Sequence, residues 1–163
     1  RKKELIIRGG HNIDPKMIEE ALAAHPAVAM SAAVGRPDKH AGEVPVAYVQ
    51  VSEGATVSKD ELLADLTARL SERAAIPKEV IIIDALPLTA VGKTFKPALV
   101  MREIENVVRS EAEQLGVDLD AVTVEQDNKL GIVAHVTLAS DKHQVLEEAL
   151  ALYTFKMQLH PAA

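Results

Sequence analysis

The chain contains no cysteine and no tryptophan, and its phenyl and phenol rings are Tyr48, Phe95, Tyr153 and Phe155 alone, 2% of 163 residues. Without thiols there is no disulfide, no thiolate-held zinc or iron–sulfur cluster and no cysteine nucleophile. So few rings remove the stacking platforms of single-strand nucleic-acid binders, and the core must be aliphatic. No apolar run is long enough for a transmembrane helix, no secretory signal is recognisable, and no Asn-x-Ser/Thr acceptor occurs. A soluble, cytoplasmic protein is expected. Positive charge is also in deficit, since 18 Lys and Arg face 24 Asp and Glu for a net −6. Neither nucleic acid nor an anionic membrane is an expected partner.

The deficit is uneven. Residues 1–100 hold thirteen basic and thirteen acidic side chains, whereas 101–163 hold five and eleven. Of the eight prolines only Pro161, and of the eight glycines only Gly116 and Gly131, lie beyond position 100. A loop-rich domain over 1–100 and an acidic extension over 101–163 are expected.

Local signals predict an α+β fold, a small mixed or antiparallel sheet flanked by helices and followed by a helix–hairpin–helix tail. Residues 4–8 read as a strand ending at Gly9-Gly10. Asp14 and Pro15 open a helix over about 15–24, stopped at His25-Pro26. Strands at 27–34 and 44–51 pair antiparallel across a turn-rich Gly35–Gly42 link. Ser58 and Glu61 make a capping box for a helix running to Ala75 with Leu62, Leu63, Leu66 and Leu70 on its stripe. The branched run at 79–84 predicts a strand buried on both faces. Beyond an irregular loop, a helix spans about 98–115, a hairpin joins 121–126 to 131–138, and 141–159 form a last helix.

Few residues carry recognisable chemistry. The six histidines show no helical i, i+4 pairing and no carboxylate at ligand spacing, so no metal site is expected. Val91-Gly92-Lys93-Thr94 imitates the end of a nucleotide-binding phosphate loop, but Pro87 stands where that loop requires glycine. Lys93 follows a glycine on a long loop, the placing of a point charge that can reach a carboxylate or phosphate in another site.

An ordered set of short motifs then narrows the reading. Arg1-Lys-Lys-Glu-Leu-Ile-Ile-Arg-Gly-Gly-His-Asn-Ile13, Ile18-Glu19, His25-Pro-Ala-Val28, Gly35-Arg-Pro-Asp38, Gly42-Glu43 and Pro87-x-Thr89-x-x-Gly92-Lys93 resemble the C-terminal domain of adenylate-forming acyl-CoA synthetases. The Pro77-to-Pro87 run and the added tail are most similar to the fatty-acyl-CoA synthetase-like members. This resemblance implies a two-step ligase in which a carboxylic acid and ATP·Mg²⁺ give an acyl-adenylate and pyrophosphate, and the CoA thiol then displaces AMP. By the same resemblance Lys93 is the adenylation lysine, with Thr89 and Gly92 supporting its loop. Lys3 is the hinge about which the small domain turns between steps. Gly9, Gly10 and His11 line the CoA channel. ATP and Mg²⁺ would be held mainly by a large N-terminal AMP-binding domain not present in this chain, which reads as the carboxyl-terminal piece of a longer enzyme. An adenylation domain serving a carrier protein is a rival reading, opposed by the lack of a Gly-Gly-x-Ser site after Lys93. A non-catalytic interaction domain is another, opposed by the intact Thr89, Gly92 and Lys93.

Overall fold

The computed structural model describes residues 4–163. The chain divides into two compact units, one ending at Leu99 but lacking Pro37–His40, the other made of Pro37–His40 and Val100–Ala163.

The sheet of the first unit is built on two long strands with continuously buried centres, Val28–Asp38 and Gly42–Val51. Strands β1 (Ile6–Arg8) and β2 (His11–Ile13) form a hairpin pairing Arg8 with His11 and Ile6 with Ile13. Helix α1 (Pro15–Ala23) follows, its Asp14 side chain accepting from the Lys16 N–H at 3.0 Å and its Pro15 filling a first-turn position where no N–H is needed. Strands β3 (Val28–Asp38) and β4 (Gly42–Val51) are neighbours joined by three residues, far too few for a parallel crossover. The expected turn-rich link is therefore shorter than the sequence suggests, because Gly35-Arg36-Pro37-Asp38 continues the strand. A side-chain fit explains the glycine: a Cβ on Gly35 would collide with the Glu43 carboxylate, whose Oε1 accepts from the Ile7 N–H at 3.0 Å.

Strand β4 is buried continuously from Val44 to Val49. Its Arg8-facing end meets β1 at Gly42, while residues Val46–Val49 pair in parallel with β5 (Glu79–Ile82). Helix α2 (Lys59–Arg69) starts where Ser58 Oγ accepts from the Glu61 N–H at 3.1 Å, and it buries Leu62 and Leu66 against α1 residues Ile18 and Leu22. It ends six residues before the expected Ala75, because Leu70 turns to extended dihedrals and Arg73–Ala75 form a separate 3-10 turn. Strand β5 also departs from expectation: Val80 is buried, but Ile82 is 40% exposed. The branched run is a short parallel strand and not a fully enclosed one.

Helix α3 (Lys96–Leu115) carries Ile104, Val108 and Ala112 into a second core with Val122 of β6 (Ala121–Asp127), Ala134, Val136 and Leu138 of β7 (Gly131–Leu138), and Leu146 and Leu150 of α4 (His143–Leu150). The expected last helix over 141–159 is overturned. Helix α4 stops at Leu150, and β8 (Lys156–Pro161) returns to pair in parallel with β7, Val133 opposite Lys156 through Leu138 opposite Pro161. Met157 and Leu159 point into the core while Lys156, Gln158 and His160 alternate outward, a period of two that a helix cannot satisfy. The tail is a helix, a hairpin, a short crossover helix and a third strand.

Candidate functional site

Two turns carry the residues singled out from the sequence. Lys93 sits on a hairpin between β5 and α3. Leu88 bridges Thr94, Thr89 N–H donates to Lys93 O at 2.7 Å, and Phe95 N–H donates to Pro87 O at 2.8 Å. The reversal is made by Gly92 at φ +81°, whose N–H donates to Thr89 O at 3.0 Å, a turn followed by a left-handed residue of the kind glycine supplies at least cost. Thr89 adds a side-chain clamp, its Oγ1 accepting from the Lys93 N–H at 3.2 Å. Backbone around Lys93 is thus held on both sides while its side chain is exposed. Leu88, Val91 and Phe95 beside it are also exposed, Val91 by 81%, so the tip has little apolar anchorage.

Gly9, Gly10 and His11 form the β1–β2 turn. Gly9, at φ +56°, donates its N–H to Ala41 O at 2.7 Å, tying the turn to the residue just before β4. At Gly10 the backbone is ordinary and a Cβ would meet nothing within 4 Å. Nothing in this chain's own packing demands glycine there. Beside the turn lies an open cleft of about 400 Å³ lined by Arg8, His11, Glu72, Arg73 and Ala74. Arg8 is oriented across it by donating from Nη1 to Ala74 O at 3.0 Å.

Lys93, Thr89 and Gly92 therefore share one turn, Gly9, Gly10 and His11 share another, and Lys93 does not line the cleft beside the second. Lys3, the expected hinge residue, lies outside the described residues. Arg8 stood within a quoted motif but was not assigned a role from it, and Arg73 gave no sequence signal, since its place in the cleft depends on the 3-10 turn after α2. Among the described residues no group of three or more His, Asp or Glu side chains is arranged to hold a metal ion. His135 and His160 stack with ring nitrogens 3.0 Å apart, and His135 Nε2 lies 3.0 Å from Glu125 Oε1, contacts between neighbouring strands of the second sheet. No helix among the described residues is long and apolar enough to cross a membrane.

The family model of the AMP-binding enzyme C-terminal domain matches residues 17–93. A marinolic acid–CoA ligase of Pseudoalteromonas sp. (strain SANK 73390) is 42% identical over 161 residues, covering 98% of this chain and 25% of that protein. An indoleacetate–CoA ligase of Aromatoleum aromaticum is 48% identical over 96 residues, covering 59% of this chain and 19% of that protein. Among solved structures, apo MatB from Rhodopseudomonas palustris superposes with a TM-score of 0.61 at 37% identity, covering 65% of this chain and 21% of that one. The chain thus spans about a quarter or a fifth of the length of the relatives it matches. Residues 17–93 belong to the AMP-binding enzyme C-terminal domain family, within the adenylate-forming superfamily of acyl-CoA synthetases.

Proposed function

We propose that this chain is the mobile C-terminal part of an ATP-dependent carboxylic acid–CoA ligase, a fatty acid being the first substrate class to test. The observation that carries the reading is the exposed Lys93 on a hairpin whose backbone is closed by Thr89 and Gly92. In the first half-reaction a carboxylate oxygen attacks the α-phosphorus of ATP and pyrophosphate leaves. Negative charge grows on the phosphoryl oxygens, and a preorganised ammonium from Lys93 stabilises it. ATP and its Mg²⁺ would be bound mainly by a large AMP-binding domain of the longer enzyme.

In the second half-reaction the CoA thiol attacks the acyl carbonyl and AMP leaves. Rotation of the small domain about Lys3 would replace the Lys93 face by the Gly9–His11 face. The bare Gly10 surface suits the thin pantetheine arm, and in the adjoining cleft Arg8 and Arg73 offer cationic donors for CoA phosphates, with His11 beside them. One module thereby serves two reactions without either face being able to perform chemistry alone.

Lys93→Ala in the full-length enzyme tests the reading. Adenylation, followed by pyrophosphate release, should fall by about 10²–10³, corresponding to roughly 3–4 kcal/mol. Thioester formation from supplied acyl-adenylate and CoA should be nearly unchanged. Equal slowing of both steps would refute the assigned role.

A further inference from the structure

The first turn of α3 breaks an elementary rule. A helix N-terminus carries a partial positive charge and favours acidic side chains, yet α3 has none in its first turn and begins with a cation, Lys96. The Lys96 cation finds its partner on another helix. Lys96 Nζ lies 2.9 Å from Glu19 Oε2 of α1, both side chains largely buried, at 19% and 23% exposure. The same Glu19 oxygen accepts from the Ala33 N–H of β3 at 3.0 Å. Ile18, next to Glu19, is fully buried in the core, so the carboxylate projects from a fixed helix onto a fixed strand.

Lys96 lies three positions after Lys93, with only Thr94 and Phe95 between them. The Lys93 hairpin leaves the body of the unit at two posts. On the incoming side Leu86 N–H donates to Gln50 Oε1 of β4 at 3.1 Å. On the outgoing side Phe95 N–H closes onto Pro87 O and Ala98 N–H onto Phe95 O, and the chain enters α3 at Lys96. Leu86 is buried at the base of the incoming strand, but Leu88, Val91 and Phe95 are exposed, so beyond that base apolar burial adds little to the hairpin's orientation. Polar tethers on the outgoing side add to it.

We infer that the Glu19–Lys96 ion pair is a positioning device for Lys93: it anchors the outgoing strand of the hairpin, so the adenylation lysine is presented in one orientation. Glu19 and Lys96 touch no reacting atom. They are positioning residues. This inference rests on the reading of Lys93 given above, and misplacing a catalytic group by about 1 Å can cost on the order of 10²-fold in rate.

The test uses the full-length ligase and assays its two half-reactions separately for Glu19→Gln, Lys96→Met and Lys96→Arg. Glu19→Gln keeps an acceptor for the Ala33 N–H, which limits damage to the fold. Glu19→Gln and Lys96→Met should each lower kcat of adenylation about tenfold with KM for ATP little changed and leave thioester formation from supplied acyl-adenylate intact. The double variant should be no slower than the slower single one, since the pair acts as a unit, and Lys96→Arg should restore most of the rate. Unchanged adenylation, equal loss in both half-reactions, or Lys96→Arg as slow as Lys96→Met would each overturn the inference. Lys93→Ala in the same assays separates the two claims. If it abolishes adenylation while Glu19→Gln and Lys96→Met do not, only the positioning role fails; if Lys93→Ala leaves adenylation unchanged, the reading beneath it fails.

Discussion

Two hairpins in this molecule are closed in similar ways and differ in what they present. In the first unit, Thr89 and a left-handed Gly92 close the Lys93 loop, and the charged side chain at its end is exposed. In the second unit, Asp127 Oδ1 accepts from the N–H groups of Lys129 and Leu130 at 2.7 and 2.8 Å, and Gly131, with the same φ of +81°, returns the chain into β7. Those two backbone donors, Leu130 first, hold the Asp127 carboxyl below its usual pKa. Equivalent backbone chemistry thus closes both turns. The first sits between a β-strand and a helix in a region matched by several CoA ligases, and the second joins two strands of an acidic extension that the marinolic acid–CoA ligase also matches. Turn geometry is therefore no guide to function; what the turn displays, and what else the domain can reach, decides it.

The largest contrast between the units should appear in their cores. Leu66 in the first core and Leu146 in the second are both fully buried, so either Leu→Ala change should cost about 2–5 kcal/mol. If the two units unfold separately, calorimetry of this chain will show each variant lowering one transition and sparing the other. A single transition lowered by both would merge the units into one cooperative body. Next in size are the two glycines. Gly92→Ala and Gly131→Ala each force a Cβ into the left-handed region at about 1–2 kcal/mol, so denaturant titration should find similar losses. In the full-length enzyme only Gly92→Ala should slow adenylation, because only it distorts the Lys93 loop. Comparable slowing by Gly131→Ala would tie the extension to the chemistry.

A smaller effect follows pH. Tyr153 OH donates to Glu111 Oε1 at 2.7 Å. Burial, then that hydrogen bond and the carboxylate's charge, push the phenol well above its usual pKa. The native state therefore holds this proton more tightly than the unfolded chain does. The resulting stability is present below the unfolded value of about 10 and is lost as pH rises beyond it. Urea melts of the second unit between about pH 9 and 11 should show the decline, and Tyr153→Phe should flatten it. A Tyr153→Phe variant that declines as steeply would assign the alkaline loss to other groups.

Much of the first unit was legible because its signals are local. Ser58 with Glu61, Asp14 with Pro15, and Gly9 with Gly10 each act within a few residues, and their caps and turns form where the residue types predict. The Gly35 and Gly42-Glu43 motifs were visible as spacing, but their meaning was not, because the Glu43 carboxylate that excludes a Gly35 Cβ comes from the next strand. Arg73 of the basic cleft was invisible for the same reason. The 141–159 segment failed differently: the apolar positions of α4 fit a helical repeat, and the alternation from Lys156 to Leu159 was absorbed into its extension.

Composition and local spacing sufficed for an aliphatic α+β chain with an acidic tail, the turn glycines and the helix starts, since each depends on side-chain type or on neighbours a few residues away, whereas the role proposed for Lys93 came from the family resemblance. They could not reveal that β5 leaves Ile82 exposed, that β8 returns parallel to β7, or that Glu19 and Lys96 meet across the first unit. Parallel pairing and ion pairs between distant elements carry no periodic mark in the chain, because their partners are brought together by burial of the core and not by local backbone preference.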